Sequence, residues 1–201
     1  MKAGPEAGTA AMIELMSTDR IADMLDSFDS LKRGRMPRHR LCAGGEMTGA
    51  DSTRAPPGGG TFYGVTFAPY ALEDGGAARW DEIKAEEGEK SLAYFRRFYD
   101  RLDDANILAK VFKSPLDMER DSPNSFVKGD IHGCAPYVYQ TVGHRPTPDF
   151  GHYTVPGVEK LYLVGPFMHP GGGVFGAGRA TAIRMMDDMG IDYDKVMGAR
   201  M

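Results

Sequence analysis

The stretch Leu161-Tyr162-Leu163-Val164-Gly165, followed by Pro166-Phe167-Met168-His169-Pro170 and by Gly171-Gly172-Gly173-Val174-Phe175-Gly176-Ala177-Gly178, decides how the chain is read. A short apolar run ending in glycine reads as a buried strand that brings the backbone to a sheet edge. Consecutive glycines then permit positive φ and close approach of a ligand. The apolar residues that follow read as a helix over Val174 to Met189, with Ile183, Met186 and Met189 on one side and Gly190 at its end. Strand, glycine turn and helix N-terminus together direct unpaired N–H groups at one point, an arrangement suited to an anion. It is not a nucleoside triphosphate loop, because no Lys-Ser/Thr follows the glycines. Gly171, Gly173 and Gly176 match the letters of a dinucleotide fingerprint, yet no second βαβ half follows before Met201.

Working outward, residues 124–160 are rich in Gly, Pro, Tyr and His and lack long periodic segments. Such loops commonly carry function. Upstream, Ile21, Met24, Leu25, Phe28 and Leu31 recur at helical spacing, with Ser17 or Thr18 placed to cap and Gly34 to terminate. Arg38 to Ala43 and Thr61 to Ala68 read as an antiparallel strand pair. Trp80 to Leu102 reads as a long helix with Trp80, Ile83, Ala85, Leu92, Phe95, Phe98 and Leu102 inward and Gly88 weakening its middle. Ile107 to Phe112 reads as a third strand, and Pro115 opens a short helix through Arg120. The fold class expected is α+β, a mostly antiparallel sheet with helices on one side. The organisation expected is a flexible lead over 1–17, an α+β region over 18–123, and a loop-rich portion over 124–201.

Composition narrows the function classes. The 201 residues suffice for a core without disulfides or structural metal. A formal charge of −4 gives no footprint for nucleic acid, and the basic run Lys32 to Arg40 reads as a solvated connector. Cys42 and Cys134 lie far apart, so neither a zinc site nor a disulfide framework is expected. With no apolar run of membrane length and no signal pattern, no transmembrane segment and a cytoplasmic location are expected.

Several segments, taken in order, carry a resemblance: Gly129-Asp130-Ile131-His132-Gly133, His144-Arg145-Pro146-Thr147-Pro148, Tyr153-Thr154-Val155-Pro156, the Leu161–Gly165 run and His169-Pro170-Gly171-Gly172-Gly173-Val174. Upstream, Asp51-Ser52-Thr53-Arg54-Ala55-Pro56-Pro57-Gly58 and Ser114-Pro115-Leu116-Asp117-Met118-Glu119-Arg120 extend it over most of Arg35 to Met189. This pattern resembles the C-terminal part of the phytoene dehydrogenase-related flavoproteins, a branch of the amine-oxidase-like FAD superfamily. Two departures stand out. The family commonly has an extra residue between the positions matching Ala177 and Gly178. It also begins with a Rossmann-type strand, glycine turn and helix, whereas Met1 to Ala10 is a run of small and turn-forming residues without an apolar strand.

The resemblance implies that 18–123 is the substrate-binding region and that 124–201 is the C-terminal part of a glutathione-reductase-like FAD-binding domain. Gly165 would end the domain's last strand, Gly171, Gly172, Gly173 and Val174 would pass beside the flavin, and Pro166, His169 and Pro170 would shape the turn. The last helix would then face the pyrimidine end of the isoalloxazine, where its dipole favours the reduced, anionic ring. Arg145 would anchor its loop by hydrogen bonds, and Arg179 would stand in the first turn of the last helix. Metal ligation by His169 is not expected, since no second ligand stands at ligand spacing. Asp130, His132 and Tyr139 are the candidates for acid–base or substrate contact; the alternative, polar residues that tie down a loop and aromatics that supply core, stays open for all three. The same holds for Tyr137, His144, His152 and Tyr153. The expectation is thus the C-terminal subunit of a split FAD-dependent oxidoreductase acting on a small organic substrate by dehydrogenation, desaturation or isomerisation. A separate polypeptide would carry the Rossmann half, across a large apolar interface. The alternative is a non-catalytic scaffold or regulatory subunit of a flavoprotein complex.

Overall fold

The computed structural model describes residues 13–135, 137–171 and 176–198. The chain forms two compact units, Met1–Asp117 and Met118–Met201.

In the first unit, β1 (Ile13–Met16), β2 (Leu41–Glu46) and β3 (Phe62–Thr66) form an antiparallel sheet in the order β1-β2-β3. Helix α1 (Ile21–Lys32) connects β1 to β2, and α2 (Trp80–Phe95) follows β3. The α+β class and the β2–β3 pairing match expectation. The third strand does not: Ile13–Met16, read as part of a flexible lead, pairs with β2, with Leu15 opposite Cys42. Ile107 to Phe112 stays outside the sheet. Phe112 lies flat on Gly88 of α2, where a Cβ would enter its ring, and Lys110 pairs with Glu89, so this segment runs along the helix instead.

The core is built on a glycine slot. Gly44 of β2 and Gly64 of β3 stand directly opposite each other. A Cβ on Gly44 would fall 2.5 Å from the Tyr63 carbonyl, and one on Gly64 would fall 2.8 Å from the Phe95 ring. The bare backbone lets Phe95 settle onto the sheet beside Cys42, with Phe62, Tyr94, Phe98, Tyr99 and Leu102 around it. Phe62 meets Phe95 and Tyr99 edge to face, with centroids 5.2 and 5.0 Å apart, a geometry aromatic pairs favour. This packing also shortens α2. The helix ends at Phe95, and Arg96 turns back to bond the Leu102 carbonyl, which draws Phe98 and Leu102 onto the core rather than along the expected helix. At the other end Trp80 is buried, its indole N–H shared between the Pro69 and Tyr70 carbonyls.

Helix α1 closes as expected. Gly34 has φ +75°, and the Gly34 and Arg35 amides bond the Leu31 and Ser30 carbonyls, a double-bonded left-handed stop. The apolar residues at helical spacing do not form its buried face. Ser27 is buried, bonding the Asp23 and His39 carbonyls, while Ile21, Leu25 and Phe28 are exposed. Phe28 meets Phe67 just beyond β3, so the apolar stripe of the helix and the strand end share one open face.

Helix α3 (Pro115–Asp121) begins at its proline, as read. In the second unit, short 3-10 turns lie at Val127–Gly129, Val138–Gln140, Val142–His144 and Pro148–Phe150, and α4 (Gly176–Asp188) is followed by a further helix, α5 (Tyr193–Gly198). Leu161 to Gly165 forms no regular strand. A single bridge joins Tyr162 to Thr154, the Leu163 amide bonds the Tyr153 carbonyl, and Leu161 and Val164 are about half exposed at 47% and 56%. An apolar run without alternation needs cover on both sides; α4 meets it through Thr181, whose hydroxyl bonds the Leu163 carbonyl. Accordingly Ala177 and Thr181 are the buried residues of α4, and Ile183 and Met189, read together on one side, are exposed. No helix among the described residues is long and apolar enough to cross a membrane.

Candidate functional site

Arg145 organises the second unit. It is 3% exposed, and its guanidinium donates to the carbonyls of His132 (2.8 Å), Cys134 (2.9 Å), Gln140 (3.4 Å) and Pro166 (3.0 Å from Nη2, 3.3 Å from Nε). It thereby ties the 130–134 loop to the turn that begins at Gly165. Gly171, at φ +78°, lies against the same guanidinium, and a Cβ there would sit 2.5 Å from Nε. Only glycine permits this approach. A second link comes from Phe167, whose Cβ would be 3.0 Å from a Cβ on Gly133 and whose ring packs beneath Gly165. The loop-anchoring role implied for Arg145 is the geometry observed; the bridging role of Phe167 had no signal in the sequence, because one aromatic in a glycine-rich turn has no period.

The remaining candidates fall into three groups. Gly165, Pro166, His169, Pro170 and Gly171 form one continuous turn around the buried Met168, and both the Arg145–Pro146 and His169–Pro170 peptides are cis. Gly172, Gly173 and Val174 lie outside the described residues. Asp130 and His132 form a local pair: one Asp130 carboxylate oxygen accepts the His132 backbone N–H at 2.7 Å and stands 3.1 Å from Nδ1 of the ring. That contact orients the imidazole, and Arg145 holds the same residue by its carbonyl. Tyr139 is not drawn in; it stacks on Tyr137 at 5.3 Å on an exposed turn. Arg179 likewise turns elsewhere, its guanidinium resting 5.6 Å over the Tyr193 ring.

The residues suit a planar, hydrogen-bonding group. His169 Nδ1 is buried and finds no hydrogen-bond partner among the described residues, although the Tyr153 hydroxyl donates to the backbone carbonyl of the same residue at 3.2 Å. A buried nitrogen left unpaired costs about 1–3 kcal/mol, which a ligand group reaching it would recover. Pro170 packs against Gly176, so the start of α4 closes directly on the turn. The unpaired imidazole nitrogen is thus the feature left for an isoalloxazine ring, whereas the bare side of Gly171 is taken by Arg145. Among the described residues no cluster of His, Cys, Asp or Glu has the grouping of a metal site.

No family model matches the chain, and no solved structure is similar to it. The chain is 29% identical over 192 residues to pyridine nucleotide-disulfide oxidoreductase domain-containing protein 2 of Rattus norvegicus, covering 90% of this chain and 30% of that protein. It is 29% identical to the Mus musculus protein of the same name over 80% of this chain. It is 28% identical to the lycopene-forming phytoene desaturase of Pantoea ananas, over 69% of this chain and 27% of the desaturase. The chain therefore spans under a third of the length of these relatives, which by their names are an oxidoreductase-domain protein and a desaturase, and its similarity to them is that of a distant, partial homologue.

Proposed function

We propose that this chain is the C-terminal subunit of a split FAD-dependent oxidoreductase, supplying the substrate-binding layer and the turn that faces the isoalloxazine. A separate polypeptide carries the Rossmann half that grips the ADP moiety. The observation that carries the reading is the convergence, on one buried arginine, of the 130–134 loop and the Gly165–Gly171 turn, the two segments that the resemblance sets on the substrate and flavin sides. The distant similarity to a phytoene desaturase and to an oxidoreductase-domain protein supports the same chemistry. The open face formed by Ile21, Leu25, Phe28 and Phe67, and the half-exposed run from Leu161 to Val164, support the presence of a covering partner.

When bound, FAD supplies a two-electron acceptor for a hydride leaving a substrate C–H bond. The residues of this chain position and enclose. The turn offers the unpaired His169 nitrogen to the ring, and Arg145 holds the turn from behind Gly171. The Asp130–His132 pair stands on the loop that Arg145 binds to that turn, and its role in this reading is to take the proton that leaves with the hydride in a desaturation.

Affinity purification of the tagged chain from its native source tests this, by the visible spectrum of the complex and mass analysis of its components. A yellow heteromer containing a Rossmann-bearing chain is expected. A colourless heteromer supports the scaffold role instead, and a stable monomer that binds FAD tightly alone contradicts the split site.

A further inference from the structure

Arg145 is the buried charged side chain among the described residues, and its surroundings are not those of an ion pair. Its acceptors are four backbone carbonyls, of His132, Cys134, Gln140 and Pro166, all neutral. No carboxylate lies within ion-pair distance of it among the described residues. Carbonyl dipoles satisfy the N–H donors but leave the net charge in place, so a full positive charge is held out of water. That is costly. The charge is also aimed. With no side chain at Gly171, the turn backbone lies directly on the guanidinium, the would-be Cβ standing 2.5 Å from Nε and 3.0 Å from Cζ.

We infer that Arg145 is an electrostatic positioning residue for the cofactor turn: acting through the backbone of Gly165–Gly171, its uncompensated charge favours a ring that becomes anionic on reduction. The inference rests on the flavin reading of that turn. It adds a fixed, full charge to the partial charge of the α4 N-terminus, acting through the turn backbone and not by direct contact. A brace and a field source are separable roles. A brace needs donors in the right places, whereas a field needs only the charge.

The experiment uses the purified yellow heteromer and sulfite, which adds to electron-poor flavins to leave an anionic ring and bleaches the yellow band. Arg145→Lys keeps the charge and loses the fork; Arg145→Gln keeps a donor pair and loses the charge. Expected is a loss of sulfite affinity of about tenfold or more for Arg145→Gln. Arg145→Lys should remain within about threefold of the parent, although its thermal unfolding midpoint falls because the fork is gone. The proposal is overturned if both variants bind sulfite as the parent does, or if their affinities fall together with stability. A parent heteromer that sulfite fails to bleach overturns it before any variant is needed. A colourless parent overturns this inference together with the flavin reading, whereas a yellow parent whose Arg145→Gln variant is unaltered overturns this inference alone.

Discussion

At the scale of single residues, Asp117 shows how a carboxylate is held ionised. Burial opposes its charge, yet the Ser114 backbone N–H (2.9 Å), the Lys84 ammonium (2.9 Å) and the Ser114 hydroxyl (2.8 Å) outweigh that penalty and bring its pKa down to about 2. A folded-state pKa below the unfolded value adds stability that is present above the unfolded pKa and is lost as pH falls through the folded one. The window therefore runs from about pH 5 down to about pH 2. Asp117→Asn should cost on the order of 1–2 kcal/mol at neutral pH, with partial exposure of Lys84 keeping the figure low, and the difference from the parent should vanish near the acid end. Urea unfolding midpoints across that range measure it. A difference independent of pH would assign the loss to packing instead. At this scale the sequence was informative where chemistry is local: the proline opening α3, the glycine stop of α1 and the arginine before Pro146 were all legible. The exposure of Ile21 and Leu25 was not, because helical spacing shows that a stripe exists without showing what meets it.

At the scale of elements, the same distinction explains β1 and the 107–112 segment. Ile-Glu-Leu-Met at 13–16 is short and follows a run of small residues, so its strand character comes from pairing with β2, a contact distant in sequence. Ile-Leu-Ala-Lys-Val-Phe at 107–112 has the stronger strand composition, yet Phe112 packs on α2 and leaves Leu108 and Val111 exposed at 98% and 81%. Gly88 is what makes that possible. Replacing it by Ala gains about 1 kcal/mol of helix propensity but drives a methyl into the Phe112 ring, at a cost of about 1–3 kcal/mol. Gly88→Ala is therefore expected to destabilise the chain, whereas in a Phe112→Ala background the same change should stabilise it by up to about 1 kcal/mol. Denaturant unfolding of the four proteins closes the cycle. Additive effects would mean that ring and helix do not meet in solution. The Gly165–Gly171 turn follows the same logic, since its glycines announced a close approach, while the partner in that approach, the Arg145 guanidinium, lies far off in sequence.

At the scale of the whole molecule, the open face on α1 and the end of β3 makes a prediction about association. Ile21 and Leu25 are already exposed, at 73% and 60%, so Ile21→Glu with Leu25→Glu removes little that holds the chain together. Its unfolding free energy should change by about 0.5 kcal/mol or less per site. The isolated double variant should scatter less light than the parent at equal concentration, and under the proposed split arrangement it should fail to recover the partner chain in the purification above. Retention of the partner would move the interface elsewhere on the surface. Another whole-molecule consequence comes from Cys42. Burial raises the pKa of this thiol, with a hydrogen bond from Thr66 pulling the other way, and the sulfur sits beside Phe95 over the glycine slot. Cys134 is more accessible. In native conditions an alkylating reagent should therefore mark Cys134 first and reach Cys42 only when helix and sheet part. Followed by mass spectrometry, the second adduct becomes a clock built into the polypeptide: its ticking counts how often the seam between α2 and the sheet comes undone, and it should slow once any true companion chain settles over that half of the protein.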